Sequence, residues 1–311
     1  MREAVLLLAF VLFASALSGG QQQLFLSNGQ LQNRITQIAS RARGRVGVFA
    51  VIHETNEVVA SLNADSRFPM QSVYKLPISM AVMKQVAEGR IKLDQSVRIT
   101  KQDYGGLAGH SPIRDKYPNG TELTVNELIW FALSESDGTA SDVLMRLAGG
   151  PQSVQSFLDG LGIKDMIVLD TEKALIDDTS LQYRNYSTPK AAVELLRALQ
   201  EKRDVSASSQ ELLLQYMVQS TPGPRRLKGL LPPGTITAHK TGTSLTEKVI
   251  TAATNDIGII TLPNGRHLII AVFISDSPAD LVTRESVIAR LAKVIFDASI
   301  SVSHKEAQEK N

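Results

Sequence analysis

The chain contains no cysteine. A disulfide scaffold, a thiolate nucleophile and a cysteine-ligated metal are therefore excluded, and stability must come from an apolar core. Charge of one sign is lacking too: 33 Lys and Arg stand against 31 Asp and Glu, a net +2 over 311 residues. No basic run carries interleaved aromatics. Neither nucleic acid nor an anionic lipid surface is implied as a partner. The five histidines are scattered without ligand spacing, so no metal is expected. There is no internal repeat. Beyond the first twenty residues no stretch is long and apolar enough to span a membrane.

What is present looks globular. With 43% apolar and 21% charged residues, the chain can bury a sizeable core in one large domain or two intimate ones. The first residues, M-R-E-A-V-L-L-L-A-F-V-L-F-A-S-A-L-S-G-G, place Arg2 before an apolar stretch, Ala4–Leu17, and then small residues. That is the pattern of a secretory signal over 1–20, with cleavage after Ala16, Ser18 or Gly20; an uncleaved anchor is the other reading. No membrane attachment is expected after cleavage. No oligomer interface is legible, so a monomer is expected.

Strand and helix signals segregate along the chain. R-V-G-V-F-A-V-I-H (45–53) reads as a buried strand, E-T-N-E as a turn and V-V-A-S-L-N as the return strand of a hairpin. From about residue 70 the period becomes helical, with Ile78, Val82, Met83 and Val86 three or four apart. Further helices are expected over 122–133, 140–147, 154–161 and 190–199, before the turn-rich G-P-R-R-L-K-G-L-L-P-P-G (223–234). Strand signals return in T-I-T-A-H-K-T-G, N-D-I-G-I-I-T-L and H-L-I-I-A-V-F-I, the last two joined at P-N-G. A final helix over 283–298 and a frayed polar tail complete the chain. The expected fold class is α/β (α+β): an antiparallel five-stranded sheet built from both chain ends with flanking helices, and an all-α lobe inserted between. The sheet lobe would take about 25–66 and 220–300 and the helical lobe about 67–219, within one domain over 21–311. A cleft between the lobes is the expected place for a site.

Three short motifs carry chemistry. In S-V-Y-K (72–75) a serine precedes a lysine by three residues at a helix start. Lys75 lies on the same face, about 5–6 Å away between β-carbons. A lysine stripped of hydration beside other cations can serve as a base, and the helix start favours negative charge. A capping serine with a surface lysine explains the motif alone as well, since about one S-x-x-K is expected by chance in a chain of this length. In S-E-S-D-G-T-A-S-D (134–142), Ser136 could pass a proton to a leaving nitrogen and Asp137 could order the loop, or the stretch is an ordinary helix cap. In A-H-K-T-G-T-S (238–244), Lys240, Thr241 and Gly242 stand in a row at a strand end. Lysine and threonine there suit a carboxylate, and glycine lets a ligand approach the backbone.

Together the three are not ordinary. S-x-x-K, S-D-x and K-T-G in that order, on helix, inter-helix loop and strand, form a signature of class A β-lactamases and penicillin-binding proteins. The chain resembles the penicillin-recognising serine hydrolase superfamily, within it class A β-lactamases, and among those the PER-type extended-spectrum subgroup. The resemblance covers roughly residues 25 to 300 and includes A-A-T-N-D-I-G-I-I-T-L-P-N-G besides the motifs above.

The resemblance implies a periplasmic enzyme that hydrolyses the β-lactam amide of penicillins and cephalosporins through an acyl-enzyme on Ser72. It implies no cofactor. Lys75, or Glu172 through a water, would take the serine proton. The amides of Ser72 and Thr243 would form the oxyanion hole, and Ser136 would relay a proton to the departing nitrogen. Lys240, Thr241 and Thr243 would hold the substrate carboxylate, with Arg226 as a further cation and Arg225 and Lys228 as rivals. Glu172, in V-L-D-T-E-K-A-L-I-D-D-T-S-L-Q-Y-R-N (168–185), would activate the deacylating water. His110 would sit at the cleft mouth; His239 reads as structural. Four positions depart from the usual pattern. Gly138 and Asp142 stand where asparagines are common, Ile176 where a water-holding asparagine is common, and Asp170 where an arginine often clamps the loop. A D,D-peptidase that deacylates slowly, or a non-catalytic sensor binding a β-lactam or peptide, are the alternative readings.

Overall fold

The structure, a computed structural model, describes residues 28–309. The expected leader over 1–20 lies outside them. Helix α1 (Asn28–Ala39) leads into strands β1 (Arg45–Ile52) and β2 (Val58–Leu62), the expected hairpin. A 3-10 turn at Gln71–Tyr74 runs directly into α2 (Lys75–Ala87). Then come α3 (Pro112–Lys116), α4 (Val125–Ser134), α5 (Gly138–Ala148), α6 (Pro151–Gly160), α7 (Glu172–Asp177), α8 (Pro189–Gln200) and α9 (Ala207–Val218). The chain returns through β3 (Thr237–Thr243), β4 (Thr254–Thr261) and β5 (His267–Ser275), and α10 (Leu281–Glu309) follows.

The five strands form one antiparallel sheet in the order β2-β1-β5-β4-β3. Strands β1 and β5, the first and last of the sheet in chain order, pair inside it, so neither chain end can close it alone. Val46, Val48 and Ile52 of β1, with Ile270, Val272 and Ile274 of β5, face the core shared with α1 and α10. The alternate residues Val51, Ile269, Ala271 and Phe273 face the core of the helical lobe. A sheet covered on both sides has no polar face, which is why these strands read as continuous apolar runs. Burying both faces drives the two layers together at about 25 cal/mol per Å² of apolar surface.

Helix α2 is the axis of the helical lobe. Every residue from Lys75 to Met83 is buried. A helix stretch apolar on all sides is a core stretch, and here even Lys75 is inside. Some expected boundaries move. The segment expected to be helical from residue 122 opens as a strand, Thr121–Thr124, paired with Ser96–Ile99. The helix starts only at Val125, because Thr124 accepts the Glu127 amide at 3.2 Å while the Glu127 carboxylate accepts the Thr124 amide at 2.7 Å. That reciprocal cap fixes the start. Helix α9, capped by Ser206, was not among the expected elements. The last helix, expected to end near 298, continues as α10 to Glu309.

Candidate active site

Ser72 does not cap α2. It lies in the 3-10 turn one residue after Gln71, whose φ of 49° is left-handed, a strained conformation for a side chain larger than glycine. The surroundings enforce it. Asn255 on β4 donates to the carbonyls of Pro69 at 2.8 Å and Met70 at 3.1 Å. The Asn185 carbonyl accepts the Met70 amide at 2.9 Å. Strand β3 presses on the same segment, and a Cβ at Gly242 would fall 2.2 Å from the Met70 carbonyl oxygen. On its Cβ side Gly242 thus admits the protein's own backbone.

Lys75, 1% exposed, gathers the site. Its ammonium donates to Ser72 Oγ at 2.8 Å and to the Ser136 carbonyl at 2.8 Å, and stands 3.2 Å from Glu172 Oε2. Ser136 is itself left-handed, at φ 58°. Its hydroxyl accepts from Lys240 at 2.8 Å. Lys240 is fully buried, and that burial, with Lys75 as a second cation nearby, holds its pKa well below the usual lysine range. Asp137 caps α5 through the Ala140 amide at 2.8 Å and accepts the Ile113 amide at 2.7 Å. Burial pushes its carboxyl upward against those bonds.

Glu172 opens α7. Three free amides of that helix start are met: Glu172 and Lys173 donate to the two Asp142 oxygens at 2.7 and 2.9 Å, and Ala174 donates to Thr171 Oγ1 at 3.2 Å. Asp142 thus ties the glutamate to α5, and burial pushes its pKa up to about 6. For Glu172, burial alone would raise the pKa. The Lys75 charge and a hydrogen bond from Tyr74 outweigh it and hold the group below the ordinary carboxylate range. The loop is closed at its base by Asn185, whose Oδ1 accepts the amides of Leu169 and Asp170 at 2.8 and 3.0 Å. Asp170 pairs with Arg184 at 3.2 Å, so an ion pair is present there with Asp170 as its acid. Ile176 is a packing residue: a Cβ at Gly109 would overlap its Cδ1 at 2.2 Å, and one at Gly105 would meet it at 3.0 Å.

The site opens on a cleft of about 490 Å³ lined by Ser72, Ser136, Glu172, Thr241, Thr243 and His110, among others. The His110 ring donates through Nε2 to the Glu135 carbonyl at 2.9 Å, at the cleft edge. Some expected site residues lie behind this wall. Arg226, 4% exposed, donates to Thr243 Oγ1 at 2.7 Å and to the Asn255 carbonyl at 2.9 Å, and pairs with Glu285 at 3.4 Å. It reaches the cleft only through Thr243. Arg225 pairs with the same Glu285 at 2.9 Å, and Lys228 donates to the Ser220 carbonyl at 3.0 Å. Gly138 lies against Glu172 behind His110, not on the main cleft. His239 is buried against Asp256 at 2.9 Å. Tyr74, Asn185 and Asn255 escaped the sequence reading. Asn185 and Asn255 act by bonding backbone far away in the chain, which no local pattern records.

Comparison with known proteins identifies the family. The model of the β-lactamase enzyme family matches residues 30–299. The chain is 40% identical over 268 residues to extended-spectrum β-lactamase PER-1 of Pseudomonas aeruginosa, covering 86% of each chain. It is 37% identical over 276 residues to β-lactamase VEB-1 of the same organism, covering 87% of this chain and 92% of that one. The crystal structure of TLA-3 extended-spectrum β-lactamase superposes with a TM-score of 0.85 at 39% identity, over 88% of this chain and 100% of the other. The chain belongs to the β-lactamase enzyme family, and within it to the class A, PER-type group.

Proposed function

We propose that the chain hydrolyses the lactam amide of penicillins and cephalosporins through an acyl-enzyme on Ser72, released by water that Glu172 activates. The observation that carries this reading is the buried ammonium of Lys75, bonded to Ser72 Oγ at 2.8 Å and 3.2 Å from Glu172 Oε2. Nucleophile and second-step base share one cation, and the Ser72 proton is taken by Lys75 in its neutral form or by the Glu172 carboxylate through a water. Ser72 Oγ attacks the lactam carbonyl carbon. The amides of Ser72 and Thr243 receive the developing oxyanion. The C–N bond breaks, Ser136 delivers its proton to the nitrogen, and the proton taken from Ser72 is passed on to Ser136, which leaves Glu172 a carboxylate for the second step; Lys240 holds the Ser136 hydroxyl at 2.8 Å. Lys240, Thr241 and Thr243 hold the substrate carboxylate, with Arg226 orienting the Thr243 hydroxyl. Water then attacks the ester, gives its proton to Glu172, and Ser72 leaves with a proton.

Residues 1–20 are assigned as an export signal and 21–311 as a periplasmic, monomeric domain with the two lobes described above. The test is steady-state hydrolysis of a chromogenic cephalosporin by the mature chain beside Ser72→Ala. Sustained turnover lost in the folded variant supports the proposal. One stoichiometric burst and little turnover would favour the slow D,D-peptidase reading, and binding without a burst would favour a sensor.

A further inference from the structure

Tyr74, inside the S-V-Y-K turn, is the largest fully buried side chain of the described residues. A buried phenol hydroxyl needs a partner. This one donates to Glu172 Oε2 at 2.5 Å, the same oxygen that Lys75 approaches to 3.2 Å. Two donors therefore hold one oxygen of the carboxylate, while the Glu172 backbone is held by Asp142. Oε1 takes no hydrogen bond from the described residues, and Glu172 lines the cleft. The neighbouring loop residue Ile176 has no polar group to help and serves as packing.

We propose that Tyr74 is a positioning residue for the hydrolytic step: its hydroxyl pins Oε2 of Glu172 and so presents Oε1 to the water that releases the acyl group from Ser72. This rests on the reading of Glu172 as the base for that water. Tyr74 itself gains and loses nothing. The water O–H bond breaks as its oxygen joins the ester carbon, and the proton goes to Oε1. When the C–Oγ bond breaks, the proton returns to Ser72 Oγ and Glu172 is a carboxylate again. Burial and the facing Glu172 charge push the phenol pKa well above its ordinary range, so it stays a donor wherever the enzyme works. A phenyl ring would fill the same core space but offer no donor.

The test is Tyr74→Phe beside Glu172→Gln and the double variant, each reacted with a penicillin. Acylation bursts, steady-state kcat, kcat against pH and intact-protein mass spectra are recorded. We expect Tyr74→Phe to keep its thermal midpoint and its burst rate within about threefold. Its kcat should fall about tenfold or more, with a persistent adduct on Ser72. The acid limb of its kcat profile should move to higher pH, because Glu172 loses a donor that favours its charged form. The substitution should add nothing in the Glu172→Gln background. Unchanged kcat and unchanged acid limb in Tyr74→Phe, with Glu172→Gln trapped as acyl-enzyme, would overturn the role of Tyr74 alone. Equal losses of burst, kcat and thermal midpoint would reduce Tyr74 to a core residue. If Glu172→Gln turns over like the wild type, the reading of Glu172 fails and the role of Tyr74 fails with it.

Discussion

A Cβ on Gly138 would stand 2.8 Å from Cγ of Glu172 and 3.2 Å from the His110 carbonyl oxygen. The glutamate methylene occupies the space that any side chain at 138 would need. The serine–aspartate–glycine sequence is thus the counterpart of where Glu172 sits. Gly138→Ala should favour the first turn of α5 by up to about 1 kcal/mol and yet displace a carboxylate held at Oε2. We expect stability within about 1 kcal/mol of wild type, kcat down about tenfold and acyl-enzyme at steady state. Urea unfolding paired with burst kinetics checks this; unchanged kcat would show that Glu172 yields freely.

Asp142 gives a stability signal with a definite sign. Its pKa is about 6 when folded, against 3.8 as the ordinary value, so between those values the folded state holds the extra proton. Its ionisation therefore lowers folding stability as pH rises from about 4 to about 6, and no further above that. Relative to Asp142→Asn, the wild type should lose on the order of 2 kcal/mol across this window. Denaturant unfolding of both at pH 4, 5, 6 and 7.5 measures it. A difference that is flat with pH would contradict the assignment.

Ile176→Ala should open a gap between α7 and the glycine-bearing loop at Gly105, Gly106 and Gly109. The side chain is only half-buried, so the cost is expected near 1 kcal/mol, below that of a full core truncation. The loop should also gain mobility, seen as faster amide exchange over residues 105–109 and 172–177 with little change at α2. Uniformly faster exchange would instead indicate global destabilisation.

The acid limit of turnover follows from Glu172. Held below the ordinary carboxylate range by Lys75 and Tyr74 against the effect of burial, it stays charged into moderate acid. Its activity as a base is present above its folded pKa and is lost as pH falls through it. The acid limb of kcat should therefore lie below pH 4.5, the ordinary glutamate value. A limb near 6 would mean that another group limits the reaction.

Much of the fold was legible because the sheet is covered on both sides. Strands β1, β4 and β5 are apolar runs bounded by turns, and P-N-G marks the β4–β5 hairpin. Ser72, Lys75, Ser136 and Lys240 were legible because three short motifs stand together in an order that resembles class A β-lactamases; each alone reads equally as a cap or a strand end. Other features depend on distant partners. The strand at Thr121–Thr124 exists because Ser96–Ile99 pairs with it. Arg226 was expected at the substrate, but Glu285 on α10, far away in the sequence, draws it behind Thr243. Asp142 and Ile176 read as losses beside a familiar pattern. In the fold one caps α7 and the other fills a hollow left by glycines.

The central claim is that Glu172 activates the water that frees Ser72. Its most direct test is the lifetime of the acyl-enzyme in Glu172→Gln, followed by intact-protein mass spectrometry after mixing with a penicillin. The account predicts rapid, stoichiometric acylation of Ser72 and an adduct that persists at least about a hundred times longer than in the wild type. An adduct that clears at the wild-type rate would show that the water is activated elsewhere, and the account would be wrong.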